Sequence, residues 1–123
     1  MATLLVNTGR AIITNRIKGS GTEPLNIAWG TGAGTTGATD TTLFTETGTR
    51  TAGTSTQQTT TTTNDSYQVV GTLTAGGALT ITNAGLFDVI TSSSGNLFIK
   101  GDFTGVVLAL GDAIQFTVKA QFS

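Results

Sequence analysis

Acid–base chemistry in this chain would rest on seven carboxylates, because it contains no histidine and no cysteine. The usual general base and the best nucleophile are missing, so a Ser-His-Asp or Cys-His site is impossible. Zinc loses its preferred nitrogen and sulfur ligands. The carboxylates are Glu23, Asp40, Glu46, Asp65, Asp88, Asp102 and Asp112. A glycosidase would need two of them a set distance apart across a cleft, and they are scattered singly, mostly beside glycine, asparagine or threonine. Asp40, Asp65 and Asp112 read as turn residues that bond their own backbone. The TND at 63–65 offers oxygens to calcium but lacks the ligand series of an EF-hand. GTGAGTTG, 30–37, has the glycines of a phosphate loop, but no lysine follows and no helix opens there. It is expected to be a flexible loop between strands. Trp29 and Tyr67 could stack on a sugar, yet both sit in alternating patterns that suit a core or an interface. The chain is therefore expected to be no enzyme and to use no cofactor, metal or small-molecule substrate.

Composition narrows the class further. Charged residues make up 11% of the 123 residues, against roughly 25% in an ordinary soluble domain. Threonine and glycine take their place, with 28 and 17 copies. Such a surface gains little solubility from charge and suits burial in an assembly. The formal net charge is −1, which gives no electrostatic footprint for nucleic acid or an anionic membrane. The apolar run Leu4 to Val6 is too short for a signal peptide, and nothing approaches a membrane span. A cytoplasm is the expected place of synthesis. The length suits one domain, and the hydrophobic fraction of 37% with 7% aromatics implies a thin core.

The elements that must position these residues are short and alternating. Turn signals recur at 19–24, 30–40, 63–65, 75–77, 92–96 and 111–112, with a single proline at Pro24. This spacing predicts an all-β domain, a single β-sandwich or jelly-roll-like fold with at most one short N-terminal helix. In the last strand Ile114, Phe116, Val118, Ala120 and Phe122 face one way, and Gln115, Thr117, Lys119 and Gln121 the other. LFIKGDF at 97–103 is a second strand. In GALTITNAGLFDVI, 77–90, Leu79 and Ile81 share a face, and Ala84-Gly85 offers a place for a bulge. LNIAW at 25–29 puts Leu25, Ile27 and Trp29 on one face.

STQQTTTTTNDSYQVV, 55–70, reads either as a linker or as structure. Threonine is β-branched and favours strands, and a disordered linker would carry more proline, serine, glutamate or lysine. Thr59 to Thr74 is therefore expected as one long strand or a strand pair, with Asn64-Asp65 as a turn or bulge. Its polar half, with Thr59, Thr61 and Thr63 on one side, would lie at a sheet edge or against a partner subunit. NTGRAIITNRIKG at 7–19 is the one candidate helix. Ile13 and Ile17 stand four apart, and Gly19 could cap the end. Arg10, Arg16 and Lys18 gather here. The segment either covers one end of the sandwich or forms a basic arm, about residues 1–20, that docks on another protein.

Three segments together resemble a family of small virion structural proteins of tailed bacteriophages. They are ITNRIKGSGTEPLNIAWGTGAGTTGATDTTLFTE (13–46), TTTTTNDSYQVVGTLTA (59–75) and ITNAGLFDVITSSSGNLFIKGDFTGVVLALGDAIQFTVKAQFS (81–123). The likeness covers nearly the whole chain and carries no catalytic motif. It implies a capsid decoration, or cement, protein: a β-rich homotrimer on the outer face of the capsid, bound to the major capsid protein. AGLFD-type segments also occur in tail-fibre and tail-associated proteins, so a tail module is the alternative, with a carbohydrate-binding β-sandwich as a third. For a decoration protein, the expected shell contacts are Thr59–Thr63 and Arg10–Lys18. The expected contacts between its own subunits are Trp29, Phe44 and Phe87.

Overall fold

Period-two alternation becomes two antiparallel sheets in the computed structural model, which describes residues 3–123. The described elements are β1 (Thr3–Leu5), α1 (Asn7–Lys18), β2 (Asn26–Gly30), β3 (Glu46–Ala52), β4 (Thr54–Gln58), β5 (Ser66–Thr74), β6 (Leu79–Phe87), β7 (Leu97–Leu108) and β8 (Ala113–Gln121). One sheet runs β1-β7-β6-β2-β3 and the other β4-β5-β8. The two meet face to face through edge-on aromatic pairs. Trp29 of β2 meets Phe116 of β8 with ring centroids 6.3 Å apart, and Tyr67 of β5 meets Phe98 of β7 at 5.9 Å. This is the all-β sandwich with one short helix that the alternation predicts.

The centre of the core is β2, whose five residues are all buried. Ile27 and Trp29 look toward the smaller sheet, in one cluster with Val69, Leu73, Ile81, Leu86 and Ile99. The opposite face of the large sheet holds a second cluster of Val6, Ala28, Leu43, Phe87 and Leu97. Leu43 comes from the segment 31–45, so that segment closes the outer face of the sheet. Bulges interrupt the β6–β7 register between Ile81 and Asn83 and between Leu86 and Phe87. They flank the Ala84-Gly85 pair rather than falling on it. The second leaves Phe98 as the extra residue, since Leu86 pairs with Ile99 and Phe87 with Leu97.

The candidate helix forms as read, and Gly19 ends it in the left-handed conformation at φ 96°. Arg16 and Lys18 in its last turn complement the negative end of the helix dipole. Its buried face is different from the one expected. Ile12 packs in the core and Ile13 is partly buried against it, while Ile17 is 81% exposed. The proposed N-terminal arm is built into the sandwich from Thr3 onward. Leu4 and Leu5 pair with Lys100 and Ile99, and Thr8 Oγ1 donates to the Leu97 carbonyl at 2.6 Å. Its first two residues lie outside the described ones.

Gly9 sets the distance between α1 and β7. A Cβ there would stand 2.2 Å from the Phe98 carbonyl oxygen, a backbone atom that cannot swing aside. Gly9→Ala gains up to about 1 kcal/mol of helix propensity, but overpacking of this kind costs about 1–3 kcal/mol. The substitution is therefore expected to destabilise the fold in a chemical denaturation series. A rise in stability would show that helix propensity outweighs this contact.

The threonine run corrects the strand reading. Residues 59–65 form an ordered hairpin loop between β4 and β5, and only the Ser66–Thr74 half is strand. The Asp65 carboxylate competes for the backbone. It accepts the N–H groups of Thr60 at 2.8 Å, Thr61 at 3.0 Å and Thr62 at 2.9 Å. Asn64 takes the left-handed conformation at φ 59°, and its N–H donates to Thr59 Oγ1 at 3.0 Å. Local side-chain bonds of this kind displace a ladder. Thr59, Thr61 and Thr63 are thus exposed loop residues and form no sheet edge.

Candidate functional site

Two basic side chains are buried in the fold, and each fastens a loop. Arg50 on β3 is 5% exposed. Its Nε and Nη2 donate to the two carboxylate oxygens of Glu46, at 2.8 and 3.0 Å. Its Nη1 donates to the carbonyls of Val89 and Ser94, at 3.0 and 2.9 Å. The guanidinium lies 3.6 Å from the centroid of the Phe87 ring. Arg50 thus joins the β2–β3 side of the sheet to the loop 88–96.

Lys100 on β7 is fully buried. Its Nζ donates to Asp40 Oδ2 and to the Thr42 carbonyl, both at 2.9 Å, and sits 3.3 Å from the Phe44 ring centroid. The hydrogen bond from Lys100 holds the Asp40 carboxyl below its usual range, against the opposing effect of burial. Asn83 of β6 holds the same loop by its backbone. It accepts the Phe44 N–H at 3.0 Å and donates to the Phe44 carbonyl at 3.1 Å. The glycine-rich segment serves this packing: a Cβ on Gly34 would stand 2.6 Å from the Phe44 ring. GTGAGTTG is therefore a packed cover for the sheet, whereas a flexible loop was expected.

The expected turn residues behave as turn residues. Asp40 Oδ2 accepts the Gly37 N–H at 3.1 Å, and Asp112 Oδ2 accepts the Ala109 N–H at 2.8 Å. The Asp65 carboxyl is held well below the ordinary carboxylate range by the N–H groups of Thr62, Thr60 and Thr61. A depressed folded-state value means that its contribution is present above the ordinary range and is lost only as pH falls through the lower folded value. Asp65→Ala is expected to abolish hydrogen-exchange protection at Thr60–Thr62, while the melting of the sandwich changes little. In the native chain that protection should survive acidification through the ordinary carboxylate range. Loss of protection there, in step with an unperturbed carboxyl, would contradict the assignment.

The structure disperses the expected contact residues. Trp29 and Phe87 are 3% and 2% exposed, so they belong to the monomer core and cannot serve as subunit contacts. Phe44 is half-buried against Lys100 and Gly34 within its own chain. Arg10, Arg16 and Lys18 are exposed on α1, and Thr59, Thr61 and Thr63 are exposed on the β4–β5 loop. Trp29 is closed to a sugar. Tyr67 is half-buried, and its hydroxyl lies 3.1 Å from both Glu23 Oε2 and the Pro24 carbonyl oxygen. Burial and the Glu23 carboxylate together raise the ionisation of that hydroxyl far above its usual range.

Surface that the expectation missed lies at the β8 edge and at the β7–β8 turn. In β8 the residues alternate as predicted, but Ile114, Phe116 and Val118 are only half-buried. The strand has β5 on one side and no described neighbour on the other. A groove of about 420 Å³ runs between this edge and β7, lined by Ile99, Gly101, Phe103, Phe116 and Val118 among others. Val107 and Leu110, near and in the turn that joins β7 to β8, are 80% and 75% exposed. Their signal was present in GVVLALGD, an apolar run continuing past the end of a strand into a turn. Among the described residues no three acidic side chains gather as a metal site, and no helix is long and apolar enough to cross a membrane.

No family model, curated protein or solved structure matches the chain.

Proposed function

We propose that this chain is a non-enzymatic structural protein of a bacteriophage virion. It acts as a decoration protein that binds the outer capsid shell as an oligomer, with a homotrimer as the expected form. The observation that carries the reading is the uncovered β8 edge. Its apolar face is half-buried in the monomer, and Lys119 is its single charge. Edge strands of monomeric proteins are usually blunted by charge, proline or bulges. The β5–β8 register runs from Ser66–Gln121 to Thr74–Ala113 without a shift, so no bulge blunts this one. The resemblance of 13–46, 59–75 and 81–123 to phage virion proteins supports the same reading, as does the low surface charge. Binding only to the assembled shell would stabilise that shell by mass action. The chain would be made in the bacterial cytoplasm and end on the capsid surface.

The test is co-sedimentation of the purified chain with mature capsid shells that lack it, followed by cryo-electron microscopy of the complex. Density on the outer shell at regular positions is expected. Density confined to a tail would replace the reading with the tail-module alternative. Thr117 and Lys119 point away from the core on β8. Thr117→Ala and Lys119→Ala are expected to change monomer stability by about 0.5 kcal/mol or less. The same changes should shift sedimentation toward smaller species or weaken shell binding. Unchanged assembly in both variants would remove β8 from the interface.

A further inference from the structure

The cluster around Lys100 holds more chemistry than an ion pair requires. Lys100 Nζ lies 2.9 Å from Asp40 Oδ2, with the lysine side chain 1% exposed. A second carboxylate stands close by. Consecutive backbone N–H groups, those of Thr36 and Gly37, reach Asp102 Oδ1 and Asp40 Oδ2 at 3.1 Å each. Asp102 is also two residues from Lys100 on β7, so both leave the strand on the same face. The Phe44 ring covers Nζ at 3.3 Å. Thr36 is 6% exposed, and its hydroxyl is the single buried side-chain polar atom among the described residues that lacks a partner.

We propose that Lys100 and Asp40 condense into an intramolecular isopeptide bond, with Asp102 as proton carrier. Held contact between an amine and a carboxyl replaces an encounter in solution, and such pre-paid entropy is a large part of many barriers. The ammonium first passes one proton along its hydrogen bond to Asp40 Oδ2, an uphill step because that bond favours the charged carboxylate, which leaves a neutral amine and a neutral acid. The Nζ lone pair attacks Asp40 Cγ. The Gly37 N–H, already bonded to Oδ2, holds that oxygen, now the hydroxyl, in place while negative charge develops on Oδ1. Asp102 accepts a second proton from the nitrogen and returns it to the departing Oδ2 hydroxyl. One C–N bond forms, one C–O bond breaks, and one water leaves with no change of oxidation state. The unpartnered Thr36 hydroxyl offers that water a hydrogen bond. The product ties the 31–45 loop covalently to β7.

The intact mass of the purified full-length chain, after prolonged incubation in the folded state, decides the matter. The mass is expected to fall below the sequence mass by one water. Trypsin should then release residues 19–50 joined to 51–119, uncut after Lys100. Asp40→Ala should keep the full mass. Asp102→Asn should retain the fold, checked by its thermal melt, and form the link many-fold more slowly. A native chain that keeps its full mass, or loses water at any other position, overturns the proposal. An Asp102→Asn chain that links at the native rate overturns the part assigned to Asp102.

Discussion

Arg50→Ala is expected to destabilise the fold by about 3–5 kcal/mol, the cost of breaking a buried ion pair from one side. The reason lies in what remains. Glu46 keeps a side chain only 8% exposed and loses both hydrogen bonds from the guanidinium. The carbonyls of Val89 and Ser94 lose their shared donor. Phe87 loses the flat group stacked on its ring. A domain of this size has about 5–15 kcal/mol in total, so the variant should be near unfolding. Removing both charges should be milder. In Arg50→Met with Glu46→Met, no unpaired charge is left inside, and such replacements are often close to neutral. Urea titration of the single and double variants checks the argument. A single variant within 1 kcal/mol of the native chain, on the order of a surface substitution, would mean that Glu46 escapes to solvent at little cost. Hydrogen exchange should also rise in the loop 88–96, because Arg50 binds two of its carbonyls.

Some of these relations were legible in the sequence and some were not. The β8 strand was legible because one face is apolar at every second residue and the other polar, and a one-residue slip would exchange them. The helix ended where Gly19 allowed it to end. β3 and β4, ETGTRTA and TSTQQ, show no apolar alternation, so no pattern announced them. They pair by register with β2 and β5. Lys100 and Arg50 were missed because a cation inside a strand reads as the wet face, and their partners are distant or ambiguous in sequence. Asp40 is sixty residues from Lys100. The Thr59–Thr63 run misled in the opposite direction. Its strand propensity was real, but Asp65 offered the backbone three local hydrogen bonds that outweighed it. The site differs from the fold in this respect. Alternation fixes which residues turn inward, while the partners of a buried charge depend on how loops return to the sheet.

Trp29→Ala is expected to cost about 3–5 kcal/mol, and Phe116→Ala less, about 1–2 kcal/mol. Alternation in the sequence places Phe116 in the core, between Ile114 and Val118. The structure keeps that side but half-uncovers it, because β8 is the last strand of its sheet. Trp29 lies on β2, an interior strand of the large sheet, at 3% exposure, so its removal leaves a cavity that its neighbours on β6 and β3 cannot close. The two rings meet edge to face at 77°, a geometry worth about 0.5–1.5 kcal/mol beyond area. A double-mutant cycle should therefore return a coupling of that order. Protein concentration supplies the decisive control. If a second copy covers β8, Phe116 becomes a fully buried residue in the assembly, and the cost of Phe116→Ala should grow as the native chain is concentrated. The cost of Trp29→Ala should stay comparatively constant. Equal costs at every concentration would show that Phe116 is as enclosed as Trp29 within one chain, and the β8 edge would then lose its claim to be the assembly surface.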